Sequence, residues 1–325
     1  MTWLTWRQYR AQAIAGAAAL AAFAVLLLIT GLQMASQYHS ALTSCAAGHG
    51  CGNLASTVFL GSHAVGFLVI MTLGVPALLG LFWGAPLVAQ ELETGTSQFA
   101  WMQSITRKHW LTVKAGLLLL AAAAWGGAVS GLVTWWSGPD NALQLDAFKP
   151  GRFDIMGIVP VGYSLFAMAL GIAAGALLRR TLPATAATLA VFIAVRIVIT
   201  QFVRPHYMTA ITTIYNLRTG YTPPGSYWQF TQGVIAADGK HIADSSGLII
   251  NGVPASALPA SCQALLSSGP HAAASCVRAA NIRGFITYQP ASRYWAFQGI
   301  ETGIFVLLAA ALIALAAIVI LRRDA

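Results

Sequence analysis

Of 325 residues, 57% are apolar and only 8% are charged. Soluble domains carry roughly 25% charged residues, and so few charges could not keep a globule of this size in solution. A mean hydropathy of +0.69 points to a chain that crosses a membrane repeatedly. Disorder is excluded, since it needs low hydrophobicity and high charge; four cysteines and no G-X-Y period exclude a small disulfide framework and a collagen. Eighteen Lys and Arg against nine Asp and Glu give +9. In a chain this apolar, that excess reads as charge flanking spans on the cytoplasmic side, and no nucleic-acid partner is expected.

Six apolar runs approach the ~20 residues needed to cross a bilayer: 13–34, 63–88, 113–136, 155–178, 184–203 and 296–321. A signal peptide also has a basic start, but its apolar core is about 7–15 residues. Here the core runs from Ala13 to Leu32, which predicts an uncleaved helix. Ahead of it, Trp3, Trp6 and Tyr9 among Arg7 and Arg10 suit a short interfacial helix. Placing the N-terminus in the cytoplasm puts Arg7, Arg10, Arg107, Lys108, Lys114, Arg179, Arg180, Arg322 and Arg323 inside, and leaves Lys149 and Arg152 in short outer loops. Six spans then return the C-terminus to the cytoplasm.

In this orientation Cys45 and Cys51, and Cys262 and Cys276, all fall outside, where disulfides persist. Four cysteines allow three connectivities. Local pairing is the least demanding; a metal site in CAAGHGC around His49 is the alternative, although its spacing matches no zinc template. Gly80/Gly84, Gly127/Gly131 and Gly171/Gly175 form GxxxG pairs that allow close helix packing. Pro76 and Pro160 are expected to kink their helices.

Two polar stretches interrupt the runs. Residues 89–112 contain Glu91 and Glu93, then TGTS, which supplies a turn and a helix N-cap, then the amphipathic Gln98 to Trp110. This stretch is a solvated loop with a membrane-surface helix, or a docking element for a cytoplasmic partner. Residues 204–293 are too long for a structureless loop. WQFTQGVIAADGKHI has alternating apolar residues around Asp-Gly, a hairpin signal; GLIINGV and GFITYQP read as further strands, with short helices between. The predicted fold is an all-α polytopic membrane protein with six transmembrane helices and a small mixed α/β extracytoplasmic domain between helices five and six. Its parts are 1–203, 204–293, and 294–325 with the last helix and tail.

Two ionisable residues sit inside spans: Arg196 in IAVRIVITQF and Glu301 in WAFQGIETGIF. Counted at 1.5 Å per residue, they lie roughly 12 Å and roughly 10 Å below the same surface. Consecutive antiparallel spans could pair them; the alternative is that Arg196 snorkels outward alone. No H-E-x-x-H, G-x-S-x-G or G-x-x-x-x-G-K-[ST] motif occurs, so no ATPase of its own is expected, and no catalytic or metal-ligating residue is assigned.

The stretch AQELETGTSQFAWMQSITRKHW resembles the coupling segment of actinobacterial ABC-2-type transporter permeases. The likeness rests on Glu91, Glu93, Gly95, Thr96, Ala100, Trp101, Gln103, Ser104, Arg107 and Lys108, and on TYQPASRYWAFQGIETG before the last span. The resemblance implies a permease subunit of an ATP-driven exporter. A separate ATPase subunit would hold ATP and Mg²⁺, and a second permease half, expected as a homodimer, would complete the pathway. It further implies that Glu91, Glu93 and the Thr94–Gly95–Thr96 turn meet the ATPase, with Trp101 and Arg107 beside them. Glu91→Ala with Glu93→Ala is then expected to uncouple transport from hydrolysis without preventing insertion. The outer domain is expected to gate the pathway or to dock an envelope protein. The rival reading is a membrane-anchored ligand-sensing or immunity protein with no ATPase partner; an intramembrane enzyme would need an ionisable cluster at one depth.

Overall fold

The computed structural model describes residues 2–46, 62–95, 106–137, 148, 150–216, 220–225, 227–235, 239, 241–243, 249–250, 253–254, 260–264 and 283–322. The described residues fall into two compact units, one within 1–144, 150–207 and 295–325, the other within 145–149 and 208–294.

The first unit is helical, with six helices long and apolar enough to cross a membrane. Helix α1 spans Thr2–Ala46 without a break. The expected separate interfacial helix is therefore continuous with the first span, because no proline interrupts these residues. Cys45, expected in a loop, lies on the last turn of that helix. Helix α2 is built from Ser62–Leu79, a π-turn at Gly80–Gly84, and Ala85–Glu93. Helix α3, Arg107–Trp136, starts behind Thr106, whose hydroxyl accepts the His109 N–H at 3.3 Å. Helix α4 spans Val159–Leu178. Pro160 sits in its first turn, where a missing N–H leaves no hydrogen bond unmade; it starts the helix and does not kink one. Arg179, left-handed at φ 52°, ends α4. Helix α5, Thr181–Val198, follows at once and continues through a π-turn, Ile199–Val203, and a 3-10 turn, Arg204–His206. Helix α6 is Tyr294–Arg322.

Helix α4 is the centre of this unit: 78% of its most apolar window is buried, against 12–39% for the other five. Two of the three GxxxG pairs explain how α2 reaches it. A Cβ on Gly80 would lie 2.5 Å from the Ala167 carbonyl oxygen, and one on Gly171 would lie 2.6 Å from the Ala85 nitrogen. The two backbones come this close because the glycines place no side chain between them. The third pair does nothing of the kind, since a Cβ on Gly131 would meet nothing within 4 Å. Helices α2 and α4 run parallel, with Gly80 against Ala167 and Gly84 against Gly171. One end of the bundle therefore gathers Glu91, Glu93, Lys114 and Thr181, and the other gathers Asp154, Arg196, Arg204 and Glu301.

The second unit is a sheet of order β1-β6-β2-β3 with a separate β4-β5 pair. Its strands are β1 Ile211–Asn216, β2 Trp228–Ile235, β3 His241–Ala243, β4 Ile249–Ile250, β5 Val253–Pro254 and β6 Arg283–Gln289. The Asp-Gly hairpin forms as expected: β2 and β3 pair antiparallel from Gly233↔Ala243 to Ile235↔His241, and Gly239 takes φ 83°. The sequence did not suggest β1, whose ITTIYN pairs antiparallel with β6 from Ile211↔Tyr288 to Asn216↔Arg283. The last strand in sequence is thus an inner one, and Phe285 and Ile286 on it are buried. Cys262 lies on a short helical turn, Ala260–Ala264, at 1% exposure. Cys51, Cys276 and the Cys45 side chain lie outside the described residues. Mass spectrometry of non-reduced protein from native membranes is expected to find two bridges, Cys45–Cys51 and Cys262–Cys276. For a loop of about 15 residues, the chain-entropy estimate is roughly 3 kcal/mol. Four free thiols would contradict this.

Candidate functional site

Glu301, on the second turn of α6, is fully buried. It is the hub of a charged cluster. Its Oε1 accepts from the Tyr163 hydroxyl, from Arg204 Nη2 at 2.6 Å and from Arg196 Nη1 at 3.4 Å. Its Oε2 accepts from Arg204 Nε at 2.7 Å and from the Tyr207 hydroxyl at 3.2 Å. Asp154, before α4, completes the set: Oδ2 lies 3.0 Å from Arg196 Nη2, and Oδ1 accepts from Arg204 Nη2 and lies 3.0 Å from the Tyr163 hydroxyl, whose single proton the two carboxylates share. Arg196 also lies flat over the Tyr163 ring at 3.6 Å. Two arginines thus face two carboxylates, and the buried set is neutral. That neutrality is the condition under which ionised groups are tolerated away from water. Burial, reinforced by the Glu301 charge, raises the Tyr207 phenol well above its ordinary range, so it meets the carboxylate as a neutral donor.

The backbone makes this convergence possible. Arg196 and Arg204 are eight residues apart, which on a regular helix would leave their side chains roughly 80° apart around the axis. The π-turn, in which the Arg204 N–H reaches Ile199 O, absorbs one extra residue. Eight then act as seven, and both guanidinium groups face α6, roughly 20° apart. Gln298, also fully buried, fixes the start of α4: its Oε1 accepts the N–H groups of Ile158 and Val159 at 2.9 and 3.0 Å, and its Nε2 donates to Phe153 O at 3.1 Å. This holds the Asp154 turn in place. A cavity of about 10 Å³ beside Asp154, Tyr163 and Ser164 has room for about one water and none for an organic substrate.

The sequence brought Arg196 and Glu301 into consideration as a pair; the structure places them together within a larger set. Asp154, Tyr163, Arg204 and Tyr207 were missed because they sit at span ends, where charged and amphipathic residues are ordinary. Arg204 is the first residue of the polar stretch 204–293. The signal was available in the scarcity of acids: with nine in 325 residues, Asp154 beside a span called for a partner.

At the other end, Glu91 receives Lys114 Nζ in an ion pair, with Lys114 over the Trp110 ring at 4.8 Å. Glu93 Oε2 accepts both the N–H and the hydroxyl of Thr181, at 2.9 and 2.8 Å. Thr94 closes α2 on Gln90 O, and Gly95 turns left-handed at φ 69°. These two residues of TGTS therefore make the expected turn at the end of α2; the expected N-cap for the following stretch falls on Thr96 and Ser97, outside the described residues, and Thr106 is the N-cap of α3. Arg107 is the first residue of α3. Thr96 and Trp101 lie outside the described residues.

No curated protein and no solved structure matches the chain. A family model described as ABC-2 membrane transporter related matches residues 17–204, which takes in helices α2 to α5 and most of α1, and so both the Glu91–Glu93 end and Asp154, Tyr163 and both arginines of the cluster. That match covers more than half of the residues, and six apolar helices accompany it: the chain is a multi-pass membrane protein belonging to the ABC-2 membrane transporter related family.

Proposed function

We propose that this chain is the permease subunit of an ATP-driven exporter, working with a separate ATPase subunit and a second permease half, most simply another copy. Family membership supports the transport reading, and the lack of any P-loop sequence in these residues supports a motor supplied by another chain. The chain itself is then not an enzyme; ATP, Mg²⁺ and phosphoryl transfer belong to the partner. In this reading the end of the bundle that carries Glu91, Glu93, Lys114 and Thr181 faces the cytoplasm with both termini, the sheet unit is extracytoplasmic, and residues 89–112 meet the ATPase through Thr94, Gly95, Thr96, Trp101 and Arg107. Export is preferred as the direction because the family resemblance is to exporters.

Affinity purification of the tagged chain from native membranes in mild detergent is expected to recover an ATPase subunit with Walker motifs. Trp101→Ala should insert normally and weaken that capture at least about tenfold, the loss typical of a buried aromatic anchor. A chain that purifies at full yield without any ATPase would favour the sensing or immunity reading.

A further inference from the structure

The last turn of α2 holds two neighbours at once. Glu91 holds α3 through Lys114, and Glu93 holds α5 by accepting both polar hydrogens of Thr181. Glu93 thus serves as an N-cap supplied from a different helix: Arg180, at the N-cap position itself, makes no side-chain cap bond. Helix α5 joins α4 through Arg179, left-handed, and Arg180, extended, a two-residue joint. Along its length α5 shows much of its apolar surface away from the bundle, with Leu182 81% exposed and Val191, Ile193, Ile197 and Val198 also exposed. At its far end, Arg196 and Arg204 are engaged by Glu301 and Asp154. Polar contacts therefore grip this helix at both ends. An α-helix of 18 residues is a stiff rod of roughly 27 Å, so displacement of one end is carried to the other.

We infer that Glu93 is a positioning residue that hands movement of the α2 end to α5, and that the cluster of Asp154, Arg196, Arg204 and Glu301 is the latch that this movement holds or releases. The inference rests on the ATPase-driven reading above: movement starts in the stretch after Gly95, two residues beyond Glu93, and reaches the charged cluster through α5. Glu93 is then an internal link of the chain and not an ATPase contact. The two carboxylates offer the bistability a latch needs, because Arg196 can keep Asp154 while Arg204 keeps Glu301, or both can share them as here.

The test uses the complex of this chain with its ATPase subunit in lipid nanodiscs. Spin labels are introduced as non-natural amino acids at Val198 on α5 and Leu307 on α6, which are 50% and 72% exposed, leaving the native cysteines untouched. Pulsed electron resonance measures their separation without nucleotide and with Mg-ATP trapped by vanadate. The wild-type complex should show a shift on trapping. Glu93→Ala and the milder Thr181→Val should keep the bound ATPase and lose the shift, wholly for the first and partly for the second. A shift unchanged in both variants would overturn the inference, as would a wild-type complex with no shift at all. Failure to recover any ATPase with the wild-type chain would instead remove the functional reading on which it rests.

Discussion

Glu301→Ala should lower the stability of the helical unit by about 3–5 kcal/mol, the usual result of removing one member of a buried ion set. The loss has two parts. Arg204, 1% exposed, forfeits a side-on fork in which Nε and Nη2 meet the two carboxylate oxygens. The remaining set, two arginines against Asp154 alone, carries an uncompensated positive charge. Arg204→Lys should cost less, about 1.5–3 kcal/mol, since an ammonium keeps the charge and gives up the planar fork. An isolated Arg196–Glu301 pair would predict that exchanging the two residues rescues the single changes. The full cluster predicts incomplete rescue. Arg196→Glu would set a carboxylate beside Asp154, and Glu301→Arg would set a guanidinium beside Arg204, so the exchange restores a neutral set but keeps two repulsive contacts, and the double variant should stay well below the wild type. Thermal unfolding in detergent, followed by size-exclusion recovery, would decide; full rescue by the exchange would show that the Arg196–Glu301 contact dominates and that the four-charge description is wrong.

The number of spans was legible because hydrophobic length is a property of sequence alone. So was the Asp-Gly hairpin, whose turn residues carry local conformational preferences. Strand β1 was not legible: its inner partner β6 lies some 70 residues later, and short polar strands take their identity from pairing. The ends of the helices were also misjudged, since α2 continues to Glu93 and α3 starts at Arg107, through polar residues that a hydropathy reading discards. The charged cluster shows the same limit in a sharper form. Arg196 and Glu301 stood out as charges inside apolar runs, whereas Arg204 joins them through a π-turn that shifts the helical phase by one residue, and no period of 3.6 residues anticipates that. Glu91 and Glu93 drew notice as acids near aromatics. Their partners, Lys114 and Thr181, lie on other helices and were invisible until the helices were packed.

Gly171→Ala should disrupt the bundle strongly. A Cβ there would stand 2.6 Å from the Ala85 nitrogen, 2.6 Å from the Gly80 oxygen and 2.8 Å from the Gly84 carbonyl carbon. All three are backbone atoms of α2, so no side chain can rotate away, and the two helices must separate. Overfilling a packed core costs about 1–3 kcal/mol when side chains can adjust; here the cost should sit at the top of that range or above it. Gly80→Ala should behave alike, with its Cβ 2.5 Å from the Ala167 oxygen. The contact also lies where α2 makes its π-turn, Gly80–Gly84, so separation of the helices would disturb the segment that carries Glu91 and Glu93 to their partners. Gly131→Ala is the matched control: it belongs to the same sequence motif, its Cβ would meet nothing within 4 Å, and alanine is the better helix former. It should change stability by less than about 0.5 kcal/mol. The comparison is read from unfolding temperatures of the three variants in one detergent. Equal tolerance of Gly171→Ala and Gly131→Ala would mean that α2 and α4 do not approach backbone to backbone.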